Sequence, residues 1–151
     1  MSNNLQIKAS RDDVEIVAAA HQIRDAVFIE EQKIAYELEY DGTDEGAIHY
    51  VGFVASIPVV TARVAVTNEG AHIQRVATVK SARRNGYAQQ LLTKLMADVT
   101  PQLKNNPNVK NQFYLGAQLT ALPLYESLGF TATGPVFLDA GIKHRLLKLQ
   151  V

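Results

Sequence analysis

Apolar and polar residues change rhythm several times along this chain, and each change predicts an element. Leu5-Gln6-Ile7-Lys8-Ala9 alternates apolar and polar positions, the pattern of a short strand. Ser10 then stands as a helix cap ahead of a segment running from about Asp12. Within it Val14, Val17, Ala18, His21, Ile23 and Val27 give a broad inner face. The polar stretch 37–46 reads as a loop. Three strand-like runs follow at 48–55, 59–66 and 72–79, with Pro58 in the first connection and Asn68-Glu69-Gly70 in the second, as hairpin turns would have. From Ala88 the period lengthens: Leu91, Leu92, Leu95, Met96 and Val99 lie on one face of a helix that the pattern ends near Thr100-Pro101. Pro107 and several asparagines mark a loop before a strand at 112–116. A short helix at about 121–128 accepts Pro123 in its first turn and stops at Gly129. Strands at 130–133 with 136–138 and at 143–149 complete the chain. The order predicts one α/β domain, an antiparallel meander in front and a mixed sheet behind.

Composition narrows the class of protein. With 151 residues, one domain with a sizeable core is the expectation. Apolar residues make up 47% and charged residues 20%, an ordinary globular balance. Fifteen basic residues match fifteen acidic ones, so net charge gives no reason to expect nucleic acid or an anionic membrane as partner. The chain has no cysteine, which excludes disulfides, thiolate zinc sites and a cysteine nucleophile. Four scattered histidines show no metal-ligand spacing, so no metal is expected. No apolar run approaches the roughly 20 residues that span a bilayer. Met1-Ser2-Asn3-Asn4 lacks the features of a leader, and cytoplasmic residence is the expectation.

One junction carries candidate chemistry. The β-branched run 73–79 leads into Arg83-Arg84-Asn85-Gly86-Tyr87-Ala88, which opens the long amphipathic helix. A glycine-containing loop at a helix start presents free backbone N–H groups at the positive end of the helix dipole. Lys80, Arg83 and Arg84 concentrate positive charge there, although cations are unfavourable at that end unless an anion is expected. Gly86 is the loop's only glycine, and no Gly-Lys-Ser/Thr ending follows, so neither a dinucleotide fingerprint nor a nucleotide P-loop is present.

These motifs together resemble the GNAT superfamily of acyl-CoA-dependent N-acetyltransferases, and within it the small ElaA-like or YjcF-like members. The family's acyl-CoA loop has Gln or Arg, two variable residues, Gly, one variable residue, then Gly or Ala; Arg83, Gly86 and Ala88 fill it here. Leu124-Tyr125-Glu126-Ser127-Leu128-Gly129-Phe130 is similar to a second signature. Val27-Phe28-Ile29-Glu30-Glu31-Gln32, Leu115-Gly116-Ala117-Gln118 and Leu138-Asp139-Ala140-Gly141-Ile142-Lys143-His144 are similar to the narrower subgroup. The resemblance covers most of the chain. It implies a single domain over 1–151, with a central mixed, mostly antiparallel sheet of about seven strands flanked by about four helices.

The resemblance also implies roles. The pyrophosphate of acetyl-CoA, the co-substrate, would rest on Arg83, Arg84, Asn85, Gly86, Tyr87, Ala88 and Gln89. The pantetheine arm would lie along Val76, Ala77 and Thr78 like an added strand, because its amides need backbone partners. A strand N–H there would polarise the thioester carbonyl. Tyr125 matches the tyrosine that protonates the leaving thiolate, while helix spacing alone also allows it a packing role. Many relatives carry a glutamate base on the strand before the loop, where this chain has Gln74-Arg75. Glu30 or Glu31 on the acceptor side, a water relay, or His49 or His144 are the alternatives; each charged or imidazole group also suits a solvated or hydrogen-bonded structural role. The acceptor would be a primary amine of a small molecule or peptide, which the acidic residues Glu30, Glu31, Glu37, Glu39, Asp41 and Asp44 would attract unless they form a solvated loop. A homodimer is expected by analogy alone. Two classes of function stand: an acetyl-CoA-dependent N-acetyltransferase, favoured by Tyr125, and a non-catalytic acyl-CoA-binding module, favoured by the missing strand glutamate.

Overall fold

The computed structural model describes residues 4–151; the reading of Met1-Ser2-Asn3 lies outside the described residues. The strands are β1 (Gln6–Ser10), β2 (Ile48–Val54), β3 (Ile57–Thr67), β4 (Gly70–Thr78), β5 (Gln112–Gln118), β6 (Thr131–Asp139) and β7 (Ile142–Gln150). They form one seven-stranded sheet in the order β1-β2-β3-β4-β5-β7-β6. Every neighbouring pair is antiparallel except β4 with β5. The α-helices are α1 (Val14–Arg24), α2 (Tyr36–Glu39), α3 (Tyr87–Lys104) and α4 (Leu122–Ser127). This is the mixed, mostly antiparallel α/β arrangement expected from the sequence. Among the described residues no helix is long and apolar enough to cross a membrane.

Alternation along the strands supplies the sheet with two apolar faces. One packs Tyr50, Val60, Ala62, Val64, Ile73, Phe113 and Leu115 against Leu91, Leu92, Leu95, Val99 and Leu103 of α3, and Tyr125 of α4 joins the same core. Each buried leucine of α3 contributes about 1.5–3 kcal/mol. The other face packs Val51 and Ala77 beneath Ala19, Ala20, Ile23, Val27 and Phe28. The last two belong to a π-helical segment, Asp25–Glu31, into which α1 widens without a break.

Several local expectations are corrected. Asp13, not Ser10, caps α1: its Oδ1 accepts from the Ile16 N–H at 3.1 Å, while Ser10 Oγ accepts from the N–H groups of Asp12 and Asp13 one turn earlier. The start therefore shifts to Val14, which with Ala18 faces outward, and the buried stripe is Ala19, Ala20, Ile23, Arg24. The first hairpin turns at Ala55-Ser56, both with positive φ, and Pro58 lies inside β3 opposite Phe53, where the ladder shifts and no donor is needed. Pro101 does not end α3; the helix continues to Lys104, because its next turn buries Leu103 completely. Residues 37–46 are not simply a loop. They include all of α2 but its first residue, and they face inward in part, as described below.

Candidate active site

β4 and β5 form a wedge. They pair only through Ala71 with Phe113 and His72 with Tyr114. This end is tightly held: the His72 and Tyr114 rings stack with centroids 4.4 Å apart, and the Thr67 and Tyr114 hydroxyls lie 2.8 Å from each other. Gly70, at φ +122, sits so close that a Cβ would stand 2.2 Å from the Gln112 carbonyl oxygen. Beyond His72 the strands diverge. The cause is a bulge: Arg63 of β3 faces Gln74 and Thr61 faces Ala77, so β4 has one residue more than its partner over this stretch. Arg75 absorbs the bend with φ +55, uncommon for a residue with a side chain. With β3 on one side alone, alternate backbone N–H and C=O groups from Ile73 to Thr78 face the opening without a ladder partner. Val76, Ala77 and Thr78 line this open edge.

At the open end the chain makes a 3-10 turn (Lys80–Ala82) and enters α3. Arg84 and Gly86 both have positive φ, +66 and +75, and Gly86 is the N-cap of α3 with no side chain capping the helix. The first-turn N–H groups of Tyr87, Ala88 and Gln89 are thus left to an external acceptor, in a concave run of backbone donors suited to an anion. Open space surrounds the position of a Cβ on Gly86. Asn85 stiffens the loop by donating Nδ2 to the carbonyls of Ala82 (2.9 Å) and Arg83 (3.1 Å). Tyr87 is buried and Ala88 half-buried, so they root the loop, while Gln89 points outward. Arg83 behaves differently from the expectation of a free phosphate ligand. Its Nη1 and Nη2 donate to Glu31 at 2.7 and 2.5 Å, and its Nε donates to the Thr78 carbonyl at 3.0 Å. The loop's unpaired cations among the described residues are Lys80 and Arg84.

The Tyr125 side chain lies in the core shared by the sheet and α3. α4 ends in a Schellman motif: the Phe130 N–H donates to the Tyr125 carbonyl and the Gly129 N–H to the Glu126 carbonyl, both at 3.0 Å, with Gly129 at φ +97. The Phe130 ring meets the Tyr125 ring edge-on at 5.9 Å. Tyr125 is 3% exposed, and burial pushes its hydroxyl well above the ordinary phenol range. No hydrogen bond within the described residues engages that hydroxyl, so packing fixes the ring and leaves the O–H uncommitted.

The end of the π-helical segment spans the mouth of the wedge. Glu31 reaches the β4 side through Arg83, and Gln32 Oε1 accepts from Gln118 Nε2 at the end of β5, 3.0 Å away. The hydrogen bonds from Arg83 hold the Glu31 carboxyl below the ordinary glutamate range, which suits a tie better than a proton acceptor. Glu30 is exposed. His49 lies elsewhere, beneath α1, in a groove with Arg11, Asp12, His21, Asp44 and Glu45. None of those residues belongs to the wedge or its loop. His49 is buried, its Nδ1 has no hydrogen-bond partner among the described residues, and burial lowers its pKa. His144 Nδ1 lies 2.7 Å from the Ile142 carbonyl oxygen, and its ring stacks on Phe137.

Sequence reasoning missed a buried ionic network beside the bulge. Arg24 and Arg63 are each 1% exposed, and Glu39 is 3% exposed. Glu39 accepts from Arg24 Nε and lies 2.9 Å from Arg75 Nε, an ion pair too bent for a hydrogen bond. Asp44 Oδ1 accepts from Arg24 Nη1 at 2.7 Å and from Arg63 Nη1 at 2.5 Å, and Asp44 Oδ2 lies 3.0 Å from His21 Nε2. Arg63 also donates to Thr43 Oγ1 (2.6 Å) and to Gln74 Oε1 (3.2 Å). Burial pushes Asp44 upward, but the hydrogen bonds and charges of Arg24 and Arg63 outweigh it and hold the carboxyl well below the ordinary range. Burial pushes Glu39 up, against the pull of Arg24 and Arg75. Glu39 and Asp44 are therefore not a solvated acidic lure. One signal in the sequence was available: Arg63 stands among the mostly apolar residues of the run 59–66.

Known proteins share this fold. The model of the acetyltransferase (GNAT) domain matches residues 9–151. The chain is 30% identical to the uncharacterized N-acetyltransferase YjcF of Bacillus subtilis over 129 residues, covering 83% of this chain and 86% of that one. It is also 30% identical to the protein ElaA of Escherichia coli over 128 residues, 82% and 80% of the two chains. The crystal structure of E. coli ElaA superposes with a TM-score of 0.82, at 27% identity, over 96% of this chain and 99% of that one. A GNAT family acetyltransferase from Elizabethkingia anophelis, solved with acetyl-CoA bound, shares the fold with a TM-score of 0.68 at 15% identity, over 99% and 100% of the chains. Wedge, bulge and uncapped α3 are thus set in a shared framework, and the chain belongs to the GNAT acetyltransferase family.

Proposed function

We propose that this single domain transfers the acetyl group of acetyl-CoA to a primary amine of a small molecule or peptide by direct attack on the thioester. The observation that carries the reading is the wedge itself. It joins an unpaired strand edge to an uncapped α3 N-terminus, and to it we add as proton donor Tyr125, whose hydroxyl has no hydrogen bond among the described residues. The E. anophelis neighbour, whose structure contains acetyl-CoA, supports the same donor. The N–H groups of residues 86–89 take the pyrophosphate, with Lys80 and Arg84 adding charge. The open edge at Val76, Ala77 and Thr78 pairs with the pantetheine amides and directs an N–H at the thioester oxygen.

The amine attacks as the neutral base. Its lone pair forms the new C–N bond as charge collects on the carbonyl oxygen, the C–S bond breaks, and the sulfur takes a proton from Tyr125. The phenol regains a proton from solvent once CoA leaves. The amine's proton passes to water, since Glu31 is tied to Arg83 and Gln74 to Arg63.

A thiol-release assay over a panel of primary amines tests this reading. Amine-dependent release in the wild type, much reduced in Tyr125→Phe with acetyl-CoA affinity retained, is the expected result. Measurable binding with no release for any amine would favour the non-catalytic module. The loss of the strand glutamate makes that the second reading.

A further inference from the structure

The bulge in β4 sets the direction of the strand edge that meets the thioester, and its pivot is a residue poorly suited to the backbone it adopts. Arg75 has φ +55 where glycine would be at ease. Such a conformation persists only where the surroundings impose it. The surroundings here are specific. Arg75 Nη2 donates to the Glu39 carbonyl at 3.1 Å and to the Leu38 carbonyl at 3.4 Å, Arg75 Nε faces the Glu39 carboxylate, and Asp41 Oδ2 lies 3.6 Å from Nη2. Glu39 is fixed in turn by Arg24, whose Nη2 also donates to the Glu39 carbonyl at 3.4 Å. On the other side of the pivot, Gln74 is held by Arg63, and Arg63 by Asp44 and Thr43. Both residues leading into the open edge are thus gripped by side chains of segment 39–44 or by arginines paired to it.

We infer that Glu39 is a positioning residue for acetyl transfer: by holding Arg75 it fixes the bulge and the aim of the backbone N–H groups of residues 76–78. The inference rests on the acetyl-transfer reading above. It also explains why no glutamate stands on β4. The positions before the open edge are used to anchor the strand, and the carboxylate that serves them comes from α2. A group acting in this way changes turnover more than donor binding, because the pyrophosphate site at residues 83–89 is anchored separately by Asn85 and the root of α3.

The test compares the wild type, Glu39→Gln and the double variant Glu39→Gln/Arg75→Gly, with acetyl-CoA and a fixed panel of spermidine, lysine and a short peptide with a free N-terminus. Glu39→Gln is expected to lower kcat about 100-fold, the cost of a misplaced reacting group. The KM for acetyl-CoA stays within about 3-fold, the signature of a loss felt mainly in the transition state. Amide hydrogen exchange at residues 75–78 quickens at temperatures well below unfolding. Glycine needs no clamp to hold a positive φ, so the double variant recovers much of the lost kcat and slow exchange. An unchanged kcat and exchange in Glu39→Gln, or a double variant no better than the single, overturns the inference. If the wild type acetylates none of these amines, the exchange arm decides alone: quickening that Arg75→Gly reverses supports the clamp, and unaltered exchange refutes it. If Glu39→Gln does not fold, Arg75→Lys carries the same readouts, since an ammonium cannot span Glu39 and the Leu38 carbonyl together.

Discussion

In the proposed reaction, Gly86 serves donor binding and Tyr125 serves turnover. At φ +75, with open space in front of it, Gly86 lets an anion approach the backbone donors at the head of α3. A branched side chain strains that conformation and fills the approach, so Gly86→Val is expected to weaken acetyl-CoA binding at least about 10-fold, or roughly 1.4 kcal/mol, by calorimetric titration. Tyr125→Phe keeps the ring and removes the donor; kcat should fall about 100-fold with the donor affinity unaltered. Equal loss of binding in both variants would contradict these roles. Because burial raises the Tyr125 hydroxyl, it stays protonated beyond the ordinary phenol range. The kcat profile should therefore rise as the amine loses its proton and hold to at least about pH 10. A fall centred well below that would assign the proton to another group. Tyr125 stood out as a candidate in the sequence because its neighbours, Leu124 to Phe130, form a recognisable run. The commitment of Glu31 to Arg83 did not, since the two residues lie 52 apart and meet only once β4 and the π-helical segment face each other.

Elements with a strong period were legible, and elements held by charges were not. The repeat Leu91, Leu92, Leu95, Val99 predicted α3 and its buried face; only its end was missed, where the burial of Leu103 outweighs the bond lost at Pro101. Leu95→Ala removes a fully buried side chain and should cost about 2–5 kcal/mol, read as a lowered urea midpoint with unchanged m. By contrast, 37–46 shows polarity without period. Acidic residues of that kind are usually solvated, and nothing local shows that Arg24, Arg63 and Arg75 will face them from three other elements. The network makes the pH response of stability specific. Asp44 has its folded pKa depressed below the ordinary aspartate value of about 3.9, so its contribution is fully present above that pH and is lost as the pH falls through the folded value. Asp44→Asn should therefore lower stability at neutral pH and lose less on acidification than the wild type does. Parallel acid titrations of the urea midpoint check this, and identical acid dependence in both proteins would contradict it.

At the scale of the whole molecule, the sheet is closed at one end of β4/β5 and open at the other. The alternating strands and the parallel step between β4 and β5 follow from the order of elements, so the mixed sheet could be anticipated. The bulge that opens the wedge could not, because it depends on a positive φ at an arginine and on the register of β3 against β4. An acyl-CoA seated as proposed would touch both β4 and α3, and so would stabilise the fold. Acetyl-CoA at 100 times its Kd should add about 2.7 kcal/mol to the unfolding free energy, visible as a rise in Tm. The most direct test of acetyl transfer is mass spectrometry of primary amines incubated with the protein and acetyl-CoA. One added acetyl group on an amine nitrogen, matched by an equal amount of free CoA and absent without the protein, is the expected result; acetyl-CoA bound in the wedge with every amine left unmodified would contradict acetyl transfer.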